Sequence, residues 1–214
     1  METAEQTVKP KERLTFTDML RVIFKDVLIA AGSFLHRLGI HPNLLTLTGL
    51  LGTALGAYFV SQGNLFLGGL LIIVMGPVDA LDGAVARARG EPQEFGAFVD
   101  SVTDRYSELA IYAALLFYFL QLDDLLAVML VFFAAAGSVL VSYIRARAQS
   151  LGYEAKVGIL TRVERYFIVG PSLLLNVPLI GVAIVAVGAN LTALQRILHV
   201  RRAAHAAMDK KKLS

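Results

Sequence analysis

Long apolar runs separated by short polar turns occupy most of this sequence between residues 44 and 200. The chain has 214 residues, of which 56% are hydrophobic and only 17% are charged. An apolar helix of about 20 residues is long enough to cross a bilayer. The composition therefore predicts an all-α integral membrane protein whose charges are segregated from its apolar runs.

Polar turns and a helix break divide the apolar sequence into six expected transmembrane helices. These lie at about 44–61, 65–79 and beyond, 95–120, 125–147, 163–176 and 178–200. We expect them to form one six-helix domain at 41–202. A tail and surface helix at 1–40 would precede this domain, and a basic tail at 203–214 would follow it.

The N-terminal segment differs from the apolar spans. Residues 1–14 are polar and mixed in charge, without the basic start and apolar run of a secretory signal. Between residues 15 and 38, apolar side chains recur at helical spacing, with Arg21, Lys25 and Asp26 on the other side. This pattern predicts an amphipathic helix lying on the membrane surface. A helix packed on the rest of the protein is the alternative.

Lysine and arginine are absent from residues 38–86, 106–144 and 166–195. With six spans, every basic cluster falls on one side of the membrane, which the positive-inside rule assigns to the cytoplasm. Both termini are then expected in the cytoplasm. The basic tail either binds anionic headgroups or is a solvated end. The chain contains no cysteine, which excludes disulfides.

Four aspartates interrupt the apolar sequence where the second and third spans meet. Asp79 and Asp82 lie three residues apart, and Asp100 and Asp104 lie four apart, so each pair shares one face of its helix. Charges in such surroundings are costly and mark functional sites. Converging carboxylates would repel one another unless hard cations lie among them, and all-oxygen ligands favour Mg²⁺ or Mn²⁺. Solvated helix ends carrying acidic residues are the alternative interpretation.

The residues around these aspartates follow a fixed pattern of eight positions, Asp79-x2-Asp82-Gly83-x2-Ala86-Arg87-x8-Gly96-x3-Asp100-x3-Asp104. The pattern resembles, without a departure, the signature of the CDP-alcohol phosphotransferase family. The resemblance extends over residues 41–202. It implies an enzyme with a cytoplasmic active site that transfers a phosphatidyl group from CDP-diacylglycerol, or from the ether lipid CDP-archaeol, to an alcohol and releases CMP.

The resemblance also implies roles for individual residues. Asp79, Asp82 and Asp100 match metal ligands, and Asp104 matches a shared ligand and the general base, with two Mg²⁺ or Mn²⁺ ions per site. The family positions for binding the CDP-lipid are Asp79, Gly83, Ala86 and Arg87. Arg87 also suits a helix end or lipid headgroups without any catalytic role, but its position one turn beyond Gly83 favours the ligand role. The family suggests a homodimer among membrane lipids, and no nucleic acid partner is expected.

A second basic cluster, at 143–165, bears on the acceptor alcohol. Together with Arg196 and with Arg105 directly after Asp104, it resembles the branch of the family that uses inositol 1-phosphate. By this resemblance Arg145, Arg165 and Arg196 would bind the phosphate of the acceptor. Val163 departs from the branch, which has proline there. Positive-inside anchoring is the alternative role for these arginines.

Two other functions stay open from the sequence. The same chemistry is possible with glycerol 3-phosphate or free inositol as the acceptor. A six-span cation transporter is the more remote alternative, because intramembrane aspartates also mark ion paths. The glycine and arginine that accompany the aspartates favour the enzyme, because they suit a nucleotide.

Overall fold

The computed structural model describes residues 16–90 and 93–213, and every regular element in these ranges is a helix. Seven helices follow one another: α1 (Phe16–Arg37), α2 (Pro42–Ser61), α3 (Leu65–Arg89), α4 (Gln93–Gln121), α5 (Leu125–Ser150), α6 (Arg162–Leu174) and α7 (Pro178–Leu213). The all-α class is confirmed. The expected tail at 1–14 lies outside the described residues.

Polar residues at the expected breaks start the helices. α2 begins at Pro42, and the side chain of the preceding His41 accepts a hydrogen bond from the backbone of Asn43. Asn64 caps α3 and Asp124 caps α5 in the same way, each accepting from a backbone N–H three residues further on. Such caps satisfy amide groups that the first helical turn leaves without partners. The turns predicted from the sequence are therefore real helix boundaries.

Four helices are long and apolar enough to cross a membrane, namely α2, α3, α5 and α7 as far as Asp209. α4 has 29 residues but carries charges through its first half. α6 has only 13 residues, or about 20 Å of helix, against a hydrocarbon core of about 30 Å. Four of the six expected spans are thus supported by length and composition, and the protein is a multi-pass membrane protein.

Glycines bring neighbouring helices into backbone contact. A Cβ on Gly68 of α3 would lie 2.7 Å from the carbonyl oxygen of Gly56 in α2, and one on Gly69 would lie 2.7 Å from Leu173 in α6. Small residues allow this close approach in membrane helices, where burial of apolar surface does not drive association. α3 is consequently held between α2 and α6, which fixes the position of its acidic end.

The bundle has two chemically different ends. Nε2 of Gln121 donates to the carbonyl of Ser61 at 2.7 Å, which places the last turns of α2 and α4 side by side. The short turns at 62–64, 122–124 and 175–177 contain no lysine or arginine. The four aspartates lie at the opposite end, where α3 ends and α4 begins. The end with the aspartates is called the acidic end below.

The two terminal helices extend the predicted bundle. In α1, a Cβ on Gly32 would lie 2.8 Å from Ala84, so this helix packs against the acidic end of α3. α1 also exposes apolar side chains, including Ile23, Val27 and Phe34. A helix is present at Phe16–Arg37, within the range where an amphipathic one is predicted. Its amphipathic character and its location on a membrane surface stay predictions. α7 continues as one helix through Leu213, so the basic tail belongs to that helix.

Candidate active site

Three of the four aspartates converge at the acidic end. Asp79 and Asp82 lie near the end of α3, and Asp100 lies in the second turn of α4. One carboxylate oxygen from each residue is within 4.8 Å of the others. Asp82 is buried and the other two are partly buried. Three carboxylates at this distance repel one another, and the donor set is all oxygen, so it fits Mg²⁺ or Mn²⁺.

A hydrogen bond from α2 holds Asp82. Thr46 is buried in the second turn of α2, and its hydroxyl donates to Asp82 Oδ2 at 2.5 Å. The backbone N–H of Gly83 donates to the other carboxylate oxygen of Asp82. Groups that bond to a candidate metal ligand orient it and tune its affinity. α2 therefore helps to fix the geometry of the carboxylate cluster.

Asp104 lies outside the close group of three and is paired with arginines. Its Oδ1 is 2.5 Å from Nη1 of Arg162, and its Oδ2 is 3.3 Å from Nη2 of Arg105. Nη2 of Arg162 also lies 2.9 Å from Asp79 Oδ2. The guanidinium of Arg162 thus joins the carboxylate predicted as the general base to one predicted as a metal ligand.

The glycines of the motif leave space around the aspartates. Apart from its chain neighbours and its own helix backbone, no described heavy atom lies within 4 Å of the position that a Cβ would take at Gly96. A Cβ on Gly83 would meet Nη1 of Arg87 at 3.4 Å, so the exposed Arg87 folds back over that glycine. Ala86 is partly exposed beside it. Space and a guanidinium next to the carboxylates suit a phosphate-bearing ligand.

The three arginines predicted for the acceptor phosphate differ in their surroundings. Arg145 is exposed. Arg165 is buried and forms a two-point ion pair with Glu108. Arg196 is also buried; its Nε donates to the carbonyl of Val157 at 2.9 Å and its Nη1 to that of Val141 at 2.5 Å.

These arginines nevertheless form one positive region. Arg145 and Arg165 lie near enough to Arg196 for their positive charges to act on it. Arg196 also ties the loop after α5 to α7, because Val157 lies in that loop. Their side chains therefore combine a structural function with a positive field at the acidic end of the bundle.

A cavity continues from the aspartates between α2, α3, α4 and α6. Asp79, Asp104 and Arg162 line its polar part. Glu108, Arg165 and the aromatic rings of Tyr112 and Tyr166 line it deeper in the bundle, with apolar residues such as Ile72 and Val169. The site thus combines convergent acidic and basic groups with an apolar interior, as expected where one substrate is a lipid and another is charged.

Three contributing residues escaped the sequence prediction: Thr46, Glu108 and Arg162. Thr46 and Glu108 carried no pattern that distinguished them from other polar residues in helices. Arg162 stands in the predicted basic cluster at the start of α6, where the hydroxyl of Thr161 donates to the carboxylate of Glu164. Its partner Asp79 is 83 residues away in the chain, and only the fold brings the two together.

Residues 39–199 match the family model described as CDP-alcohol phosphatidyltransferase. The chain belongs to this family. The match covers the helices that carry the four aspartates and the basic cluster. It confirms the resemblance inferred from the eight spaced positions, and it favours an enzyme over the cation transporter.

Relatives of this CDP-alcohol phosphatidyltransferase span nearly the same length. Archaetidylinositol phosphate synthase of Pyrococcus horikoshii is 37% identical over 184 residues, which cover 86% of this chain and 95% of that protein. Phosphatidylinositol phosphate synthase of Streptomyces avermitilis is 35% identical over 199 residues, which cover 85% of this chain and 81% of that protein.

Solved structures of the Mycobacterium tuberculosis phosphatidylinositol phosphate synthase have a similar fold. The structure with CDP-DAG bound has a TM-score of 0.76 and 29% identity, and the similarity covers 82% of this chain and 94% of that one. The structure in complex with manganese and citrate also has a TM-score of 0.76 and 29% identity, with coverage of 81% and 88%. Its manganese agrees with the use of a divalent metal by the aspartate cluster.

Proposed function

We propose that this enzyme transfers a phosphatidyl group from CDP-diacylglycerol, or from CDP-archaeol, to inositol 1-phosphate and releases CMP. The observation that carries the proposal is the convergence of Asp79, Asp82 and Asp100 beside the arginine-paired Asp104. The relatives named above, which include synthases of phosphatidylinositol phosphate and archaetidylinositol phosphate, support the choice of acceptor.

Divalent cations fit the three converging carboxylates. Asp79, Asp82 and Asp100 would hold them, with Asp104 as a shared ligand, and we propose two ions of Mg²⁺ or Mn²⁺ per site. When bound, such ions would neutralise the diphosphate of the donor and stabilise the departing CMP. The three carboxylates would hold the positive charge of the ions in one place beside the cavity.

Asp104 is the proposed general base. It accepts the proton of the acceptor hydroxyl while that oxygen bonds to the phosphorus next to the lipid. The bond between this phosphorus and the oxygen of CMP breaks, and CMP leaves with the bonding electrons. A carboxylate is a weak base for an alcohol, so it works only when it is held against a hydroxyl that is already attacking. The ion pair with Arg105 supports this role because it helps to hold the carboxylate in one orientation.

The donor and acceptor would approach different groups. Asp79, Gly83, Ala86 and Arg87 are the proposed contacts for the CDP-lipid. The exposed guanidinium of Arg87, which lies over Gly83 beside the carboxylates, supports this assignment.

Arg145, Arg165 and Arg196 are the proposed contacts for the acceptor phosphate. The positive field that these three arginines share supports this assignment. Free inositol lacks the phosphate that this field would attract.

The proposed topology has six membrane crossings, by α2 to α7, with both termini and the acidic end in the cytoplasm. Two features support it: lysine and arginine are absent from the three short turns, and basic residues are concentrated near the acidic end. α1 would lie on the cytoplasmic membrane surface, because it exposes apolar side chains while packing on α3.

Turnover of CDP-diacylglycerol with a panel of alcohols tests the proposed reaction. CMP release should be fastest with inositol 1-phosphate and slower with free inositol or glycerol 3-phosphate. Comparing CMP release from CDP-archaeol with that from CDP-diacylglycerol tests which lipid donor the enzyme prefers. Preference for an acceptor without a phosphate would refute the assignment of the arginine region.

A further inference from the structure

Arg162 links the two halves of the acidic motif. Its Nη2 lies 2.9 Å from Asp79 Oδ2 on α3, and its Nη1 lies 2.5 Å from Asp104 Oδ1 on α4. One guanidinium at the first residue of α6 therefore contacts carboxylates on two other helices. A planar fork with several donors is suited to such bridging, which a point charge would not achieve in the same way.

The two contacts differ in quality. The contact to Asp79 has hydrogen-bond geometry. Asp104 Oδ1, by contrast, is buried and forms no well-aligned hydrogen bond within the described part of the chain, although the charge of Arg162 lies beside it. A carboxylate oxygen held by charge alone gains free energy when a better-fitting cation takes the place of the guanidinium.

Arg162 also lies where divalent cations are expected. Asp79 belongs at once to the ion pair and to the cluster whose oxygens converge within 4.8 Å. A guanidinium and a divalent cation at the same carboxylate repel each other. The side chain of Arg162 is 36% exposed, so it has an open side toward which it can move.

We propose that Arg162 is a positioning residue that acts as an exchangeable counter-ion of the metal site. It holds Asp79 and Asp104 together until divalent cations bind, and the cations then displace it from at least one of these carboxylates. The displaced guanidinium stays at the edge of the cavity, near the incoming phosphates. This inference rests on the divalent metal use in the proposed function, and it concerns the competition between two cations for one pair of carboxylates.

Mn²⁺ binding to the purified full-length protein in detergent tests this competition, with free Mn²⁺ measured by electron paramagnetic resonance. Removing the competing cation in Arg162→Gln should tighten Mn²⁺ binding by roughly tenfold, the size expected for one charge-assisted contact. Arg201→Gln is the matched control, because Arg201 is an exposed arginine of α7 with no ion pair to the four aspartates of the site in the described part of the chain. Its Mn²⁺ affinity should equal that of the unmodified protein.

Thermal unfolding provides a second readout that does not depend on turnover. Arg162→Gln leaves the carboxylates without their counter-ion, so its Tm should fall in EDTA, and Mn²⁺ should raise that Tm more than it raises the Tm of the unmodified protein. Arg162→Lys keeps the charge but loses the fork. Arg162→Lys should tighten Mn²⁺ binding by a smaller factor than Arg162→Gln. If the glutamine variant does not fold, the lysine variant alone tests whether Arg162 competes with Mn²⁺.

Unchanged or weaker Mn²⁺ binding in both variants would overturn the exchange, because it would mean that Arg162 supports the metal ligands. If Mn²⁺ raised the Tm of Arg162→Gln and of the unmodified protein equally, that result would overturn the exchange as well. These measurements contain no CDP-lipid and no acceptor. Absence of CMP release with inositol 1-phosphate would therefore count against the proposed function and leave the exchange standing.

Discussion

Arg165 and Glu108 form a two-point ion pair inside the bundle. Nε of the arginine lies 2.7 Å from Oε1 of the glutamate, and Nη2 lies 3.0 Å from Oε2. Only 1% of Arg165 is exposed, so the pair joins α6 to α4 away from bulk water. Removing one partner of such a pair leaves a buried charge without compensation. Arg165 is therefore a structural residue as well as a proposed phosphate contact.

Replacing Arg165 by glutamine should have two separable effects. The protein should lose about 3–5 kcal/mol of stability, as expected for breaking a buried pair, and the KM for inositol 1-phosphate should rise. Glu108→Gln should lower the Tm in detergent but leave a smaller effect on the acceptor KM, because the positive charge stays. Equal effects of the two variants on KM would assign Arg165 to structure alone.

Arg145 offers a cleaner test of the acceptor region because it is exposed. Arg145→Gln should leave the Tm unchanged and reduce kcat/KM for inositol 1-phosphate about ten-fold to a hundred-fold, the effect of losing a charge-assisted contact to phosphate. The KM for the CDP-lipid should hardly change. Arg201→Gln serves as the control, and equal kinetics of the two variants would leave only positive-inside anchoring for Arg145.

Thr46 is expected to act through Asp82, to which its hydroxyl donates at 2.5 Å. Thr46→Val removes this hydrogen bond and nearly preserves the shape of the side chain. Loss of such a supporting bond should weaken the apparent metal affinity about tenfold or more, as measured by the Mg²⁺ concentration that half-activates CMP release.

Thr48→Val is a matched control on the same helix. The hydroxyl of Thr48 is exposed and donates only to the carbonyl of Leu44, one turn earlier. This variant should keep the metal dependence of the unmodified enzyme. A similar weakening in both variants would indicate a general effect on α2 and not on Asp82.

The sequence was sufficient for most helix boundaries and for the pairing of aspartates on one helix face, because both depend on local pattern. It did not separate Asp104 from the close group that Asp79, Asp82 and Asp100 form. Caps such as Asn64 and Asp124 interrupt apolar runs, and carboxylates three or four residues apart share a helix face. The sixth predicted membrane span ends at about residue 200, where hydrophobicity falls. α7 continues beyond that point to Leu213, because alanine and lysine favour helices.

The contacts between distant residues were not predictable in this way. Nothing near Arg162 in the sequence indicates Asp79 or Asp104 as its partners, and nothing near Arg165 indicates Glu108. The three predicted acceptor arginines look alike in the sequence but are exposed, ion-paired and carbonyl-bound in the structure. Such differences arise from helix packing, which composition and spacing do not encode locally.

Asp104→Asn should abolish CMP release while binding of the CDP-lipid largely survives. The amide is nearly the same size as the carboxylate but does not accept the proton of the acceptor hydroxyl, so the loss falls on the chemical step and not on ground-state binding. Single-turnover CMP release and retention of the CDP-lipid by the purified variant measure the two properties. Release at a near-normal rate would refute the role of Asp104 as the base.

The proposed topology can be tested with single cysteines, because the chain contains none and the background is clean. In intact cells, an impermeant maleimide should label cysteines that replace the exposed residues Gln62, Leu122 and Leu175 in the three short turns. Cysteines replacing Glu154 and His205 should react only after the membrane is permeabilised, because they lie at the basic end, which the proposed topology places in the cytoplasm.

The Leu175→Cys variant decides the number of crossings. α6 has only 13 residues, which is short for a bilayer unless lipids or neighbouring helices adapt to it. Its last turn nevertheless lies beside the start of α3, where a Cβ on Gly69 would meet Leu173 at 2.7 Å. Residue 175 should therefore be labelled from outside, together with residue 62. Labelling of Leu175→Cys only after permeabilisation would exclude a crossing by α6. Labelling of Glu154→Cys from outside would place the acidic end on the outer side of the membrane, where a cytoplasmic nucleotide does not reach it.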